Sequence, residues 1–182
     1  MGQVFEAIDP AMEQWIAAQR LFFVATAPLA GAGLVNCSPK GLDSLRVVDP
    51  HTLAYLDLTG SGVETIAHLR ENARVVIMLC AFEGAPRIVR LHGRGEVLAP
   101  DHAEWAMWRG MFPPLDGVRA VIRVNVTRIS DSCGYGVPLM RFEAEREALP
   151  RWVAARGAGG IEEYQRTRNA RSLDGLTGVD WL

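Results

Sequence analysis

Two groups of polar residues interrupt an otherwise apolar chain, and both have the composition of an anion-binding site. The first is Ser38-Pro39-Lys40-Gly41, followed closely by Arg46. The second is Asp57, Thr59, Ser61 and Thr65, which run into the expected start of a helix. Together they suit a phosphate: a helix N-terminus offers unpaired N–H groups and the positive end of its dipole, hydroxyls add donors, and Lys or Arg neutralises the charge. Each group alone has a plainer explanation. A glycine-rich turn such as Gly60-Ser61-Gly62 also joins any strand to any helix, and a loop lysine is usually solvated.

No catalytic side chain is assigned among these groups. Cys133 beside Gly134-Tyr135-Gly136 reads as a turn whose glycines fix its path rather than as a redox thiol with a tyrosine proton donor. Arg90, His92 and Arg94 share one strand face, which either lines a pocket or forms a solvated exterior. Cys37, Cys80 and Cys133 are odd in number and lack CxxC spacing, so reduced thiols are expected. His51, His68, His92 and His102 show no paired metal spacing, and no metal site is expected.

A formal net charge of −2 gives no general attraction to nucleic acid or to an anionic membrane. No apolar run approaches the roughly 20 residues of a membrane-spanning helix, and the start MGQVFEAIDP is acidic where a secretory signal is basic and then apolar. The expectation is a cytoplasmic protein whose partner is a small-molecule substrate, with neither nucleic acid nor membrane involved.

The elements that must position these residues are mostly strands. Asp9-Pro10 supplies an N-cap and a first-turn proline for a helix from about Pro10 to Arg20, with Met12, Trp15 and Ile16 on one face. Leu21–Ala25 and Leu34–Cys37 read as strands, the second broken by a turn at Ser38-Pro39-Lys40-Gly41. Leu45–Val48 and Thr52–Leu58 flank the Asp49-Pro50 turn. Ser61 and Glu64 stand at capping-box spacing for a helix from Gly62 to Asn72. Val75–Phe82 and Arg87–Leu98 form a hairpin, Asp101–Phe112 a helix with Trp105, Trp108 and Phe112 along one side, and Val118–Ile129 a last long strand. With 49 % hydrophobic residues in 182, one core is expected, and strands in series without a full helix after each exclude a doubly wound sheet. The fold class is mainly β (α+β): a six- to eight-stranded antiparallel β-barrel with short flanking helices. One domain spans 1–182, with the barrel at about 20–132 and a helical C-terminal arm at about 141–182.

The segments LVNCSPKG, LRVVDPHTLAYLDLTGSGVETIAHLRENARVVIML and RIVRLHGRGEVL, with the later SDSCGYGVPLM and RNARSLDGL, resemble the flavin-binding split barrels of the pyridoxamine 5′-phosphate oxidase family. The resemblance spans nearly the whole chain and points to a subgroup of unknown substrate. It implies FMN held by Ser38, Lys40, Arg46, Leu56, Asp57, Thr59, Ser61 and Thr65. In this scheme Arg46 supplies a basic contact, and Leu56 and Asp57 run along the flavin edge. Thr65 stands where many relatives carry a lysine or arginine, so Lys40 or Arg46 must supply the missing charge. The resemblance further implies an FMN-dependent oxidoreductase acting on an unidentified small substrate. Its alternatives are a deazaflavin-dependent reductase and a non-catalytic module holding flavin or haem. It also implies a homodimer with the site between subunits, for which Trp105, Trp108 and Trp152 are candidate contacts.

Overall fold

The computed structural model describes residues 2–182. Eight strands form one antiparallel sheet: β1 (Val4–Phe5), β2 (Phe22–Thr26), β3 (Asn36–Lys40), β4 (Leu45–Asp49), β5 (Thr52–Leu58), β6 (Arg74–Cys80), β7 (Ile88–Leu98) and β8 (Val118–Ser132). They follow the order β3-β2-β6-β7-β8-β5-β4, with β1 added on β8. The sheet is not closed, since β3 and β4 end the path as edges. This is the expected split barrel. Leu53 and Tyr55 of β5 point to the interior with Val24, Ile77, Leu91 and Ile122, while the alternating Ala54 and Leu56 face a smaller cluster with Leu98, Trp108, Phe112 and Val121. The strand is therefore buried on both faces, which is why it reads as a nearly unbroken apolar run.

Helix α1 (Pro10–Ala18) starts as the sequence dictates: the Met12 N–H donates to Asp9 Oδ1 at 2.7 Å, and Met12 and Ile16 are buried. Helix α2 (Glu64–Asn72) is shorter than expected. Its N-cap is Val63, and no side chain caps it, so the Ser61–Glu64 capping box does not form. The Glu64 carboxylate accepts from the Leu173 N–H instead. Ser38, Pro39 and Lys40 are not a turn but part of β3, paired with Val24, Phe23 and Phe22. Pro39 has no N–H to give, and an edge strand tolerates that because one side of it needs no ladder partner.

The helix expected over Asp101–Phe112 contracts to α3 (Trp105–Arg109), with the preceding residues in turns. Trp108 is buried there within its own chain and donates to Glu104. In the C-terminal arm the helix α4 occupies Ala148–Arg168 and breaks at Gly157, whose φ of 65° no side chain favours. Beyond it the RNARSLDGL segment is not helical but folds back through an Arg171–Thr177 bridge. The arm packs on its own barrel: Gln165 Nε2 donates to Thr59 Oγ1, Asn169 Nδ2 to the Gly60 carbonyl, and Val179 joins the interior cluster. Among the described residues, no helix is long and apolar enough to cross a membrane.

Strands β7 and β8 carry a bulge at His92/Gly93, where a Cβ on Gly93 would collide with the Asn125 carbonyl across the ladder. That neighbour is backbone and cannot step aside. Gly93→Ala is therefore expected to destabilise the fold by about 1–3 kcal/mol through overpacking. Urea unfolding of the two proteins measures it, and equal midpoints would contradict the close approach.

Candidate functional site

Four of the eight residues singled out in the sequence meet in one cleft between β3, β5 and the start of α2. Ser38, Lys40, Asp57 and Thr65 line it together with Asn36, Glu64, Gly60, Gly62 and Arg119. Asp57, near the end of β5, is wholly buried. Lys40 Nζ stands 3.3 Å from its Oδ1, and Arg119 reaches Oδ2 with both Nε and Nη2 at 2.9 Å. Arg119 Nη1 also donates to the Gly62 carbonyl at 2.7 Å, which fixes the turn leading into α2. Burial alone would raise the Asp57 carboxyl, but the Arg119 guanidinium and the Lys40 ammonium outweigh it and hold the group below the usual carboxylate range.

A neutral network adjoins this triad. Asn36 Nδ2 donates to Thr65 Oγ1 at 3.0 Å and to Thr26 Oγ1 at 3.1 Å, while Asn36 Oδ1 accepts from Ser38 Oγ at 3.0 Å. Thr26 Oγ1 lies 3.0 Å from Nδ1 of the buried His68. Burial pulls His68 below the ordinary imidazole range, and the acidic neighbours Asp174, Glu64 and Glu71 only partly offset it. Nε2 of His68 stands 3.9 Å from Asp174 Oδ2 and has no hydrogen-bond partner of its own.

The other four expected residues lie elsewhere. Arg46 is bound to Asp43 at 2.7 and 2.9 Å, donates to the Met111 carbonyl at 3.2 Å and covers the Phe112 ring, in a different hollow beside α1. Leu56 points away from Asp57 because successive residues of a strand face opposite sides. Thr59 is buried in a structural role, donating to the Gly117 carbonyl at 2.7 Å. Ser61 is exposed and outside the cleft lining.

Arg119, Asn36 and Glu64 were not found from the sequence. Strand alternation puts Arg119 on the face of Val121, away from Asp57. The ladder pairs Asp57 with Ala120 and Leu58 with Val118, so Arg119 is the extra residue of a bulge, and the bulge turns its side chain onto Asp57. Asn36 and Glu64 belong to segments read as an apolar strand and a capping box.

A split barrel with a polar cleft at a strand-to-helix junction defines a class of protein, and comparison with known proteins places the chain within it. The family model described as pyridoxamine 5′-phosphate oxidase matches residues 8–133, which include every residue of the cleft lining. The pyridoxamine 5′-phosphate oxidase family protein ustO of Aspergillus flavus is 40 % identical over 195 residues, covering 96 % of this chain and 77 % of that one. Among solved structures, a HupZ variant of Group A Streptococcus shares 26 % identity at a TM-score of 0.53, over 69 % of this chain and 99 % of that one. A Lactobacillus delbrueckii protein named for the same oxidase shares the fold at a TM-score of 0.53 and 20 % identity, over 70 % of this chain and 98 % of that one. The chain belongs to the pyridoxamine 5′-phosphate oxidase family.

Breaking one arm of the triad leaves buried charge unpaired. Arg119→Met is expected to cost about 3–5 kcal/mol, and Lys40→Met less, because Lys40 retains 19 % exposure. The pH dependence has a definite sign. The folded Asp57 carboxyl titrates below its unfolded value of about 3.9, so its contribution is complete above that pH and is lost as the pH falls through the folded value. Denaturant unfolding between neutral and acid pH measures this, and Asp57→Asn should flatten the acid limb of the stability profile.

Proposed function

We propose that the chain is a flavin-dependent oxidoreductase acting on a small organic substrate in the cytoplasm, and that it works as a homodimer. The observation that carries this reading is the cleft itself, a built polar site lying wholly inside the segment that matches the family. Its lining includes no nucleophile beside a base, so the chemistry falls to a cofactor; a bound flavin supplies hydride or electron transfer there. The chain's own part is to bind and orient: Ser38 and Thr65 present hydroxyls, and Asn36 fixes both.

The lining suits FMN only in part. Hydroxyl and amide groups suit the uncharged ribityl chain. The charged groups do not suit a phosphate dianion, because Lys40 and Arg119 are opposed by Asp57 and Glu64 and their formal charges sum to zero. Haem is disfavoured by a separate observation: no His, Cys, Met or Tyr lines the cleft, and His68 is enclosed behind Thr26. A deazaflavin reductase keeps the same cleft and differs in its cofactor, whereas a non-catalytic flavin module keeps the cleft without turnover.

The cleft holds about 270 Å³, below the roughly 300–1,000 Å³ that enclose a whole drug-sized ligand, so a single chain walls only part of a cofactor. Phe23, Ala25, Val76 and Met78 stand half-exposed on the outer faces of the adjoining β2 and β6, and β3 is an open edge. A second copy seated there would complete the wall. Trp105 and Trp152 remain candidate contacts; Trp108 does not, because its own chain buries it.

The purified protein, reconstituted with flavin if needed, should show the two visible bands of an oxidised flavin and scatter light as twice the chain mass. A haem spectrum, or a monomer that takes up no flavin, would overturn the reading.

A further inference from the structure

The cleft offers its ligand both donors and acceptors, and that mixture discriminates between the parts of a flavin. Asn36 spends one amide hydrogen on Thr65 Oγ1, which leaves the Thr65 hydroxyl proton free to donate into the cleft. Ser38 spends its proton on Asn36 Oδ1, which leaves the Ser38 oxygen as an acceptor. Glu64 adds a second acceptor on the opposite wall. Its Oε1 accepts from the Leu173 N–H at 3.2 Å, and its Oε2 lies over Gly62. A polyol hydroxyl donates and accepts, and so can satisfy all three groups. A phosphate dianion only accepts, and faces Ser38 Oγ and Glu64 Oε2 with nothing to give.

Charge leads to the same place. Arg119 has Nε and Nη2 on Asp57 and Nη1 on Gly62, and its side chain is only 4 % exposed, so its charge is committed. The triad retains one positive charge, presented by Lys40. Glu64, the first residue of α2, cancels it and already occupies the position where an anion gains from the helix dipole.

We infer that Glu64 is a specificity-determining residue that makes this site indifferent to the flavin's phosphate. The cleft takes the ribityl chain and leaves the phosphate outside, and riboflavin, FMN and FAD bind with nearly equal affinity. This rests on the flavin reading above, and the test separates the two.

The full-length apoprotein is titrated with riboflavin, FMN and FAD by quenching of flavin fluorescence, at low and at physiological salt. The expected result is three dissociation constants within about threefold of one another, none weakened by salt, as befits a site without net charge. Glu64→Gln, which keeps an acceptor for the Leu173 N–H, should tighten FMN by up to about fivefold and leave riboflavin unchanged. FMN binding at least about tenfold tighter than riboflavin and weakening with salt would overturn the inference while the flavin reading stands. Binding of no flavin at all would overturn both. An FMN-to-riboflavin ratio that Glu64→Gln does not move would remove Glu64 from the role even if the wild-type constants agree.

Discussion

The buried carboxylate of Asp57 is the constraint around which the open side of the barrel is arranged. A charge with no solvent exposure must be paired, or it destabilises the fold by several kcal/mol. The two partners come from strands that share no ladder with one another. Lys40 reaches in from the edge strand β3, which pairs only with β2, and Arg119 comes from β8 on the other side of β5. Where the hydrogen-bonded path of the sheet ends, side-chain ion pairs continue it. The same guanidinium holds the Gly62 carbonyl, so the approach to α2 is tied to the triad as well.

Replacing a buried ion triad with apolar side chains of equal volume is often neutral or stabilising, so net stability does not by itself account for this one. What it does fix is position. Lys40 is held at the cleft wall rather than free in solvent, and the start of α2 is set at a defined distance from β3. The Asn36 network then aligns Ser38 and Thr65 across that gap and runs back through Thr26 to His68. The tail contributes from outside: Leu173 pins Glu64, Asp174 accepts from the Leu34 N–H, and Asn169 holds the turn at Gly60.

Much of this was legible in the sequence, and the failures have physical causes. Strand identities followed from alternation and from turns at Asp49-Pro50 and Glu83–Pro86, and the α1 cap followed from Asp9-Pro10. Ser38, Lys40, Asp57 and Thr65 stood out because polar groups in apolar surroundings need a reason. Arg119 escaped because a one-residue bulge reverses the face that alternation assigns. The resemblance set Leu56 beside Asp57 along the flavin edge, although neighbours in a strand face opposite sides. The resemblance gave Arg46 a cofactor contact, but Asp43, three residues earlier, satisfies its charge locally. The Ser61–Glu64 spacing predicted a capping box, but a contact 109 residues away in sequence claimed Glu64 first, and no local pattern reports that.

These origins explain how one fold can present different chemistry at the same place. The barrel needs Asp57 paired and the turn at Gly62 held, and Lys40 and Arg119 meet that need. Glu64 is under no such requirement: it sits half-exposed on the first turn of α2, and its own hydrogen bond is to a tail that also anchors through Asn169, Gln165 and Val179. Its charge can change without disturbing the triad, whereas a change in the triad disturbs the sheet. The balance between a site for a polyol and a site for a phosphate is thus carried by a residue the fold leaves free, and ligand choice can shift while the architecture that positions it stays fixed.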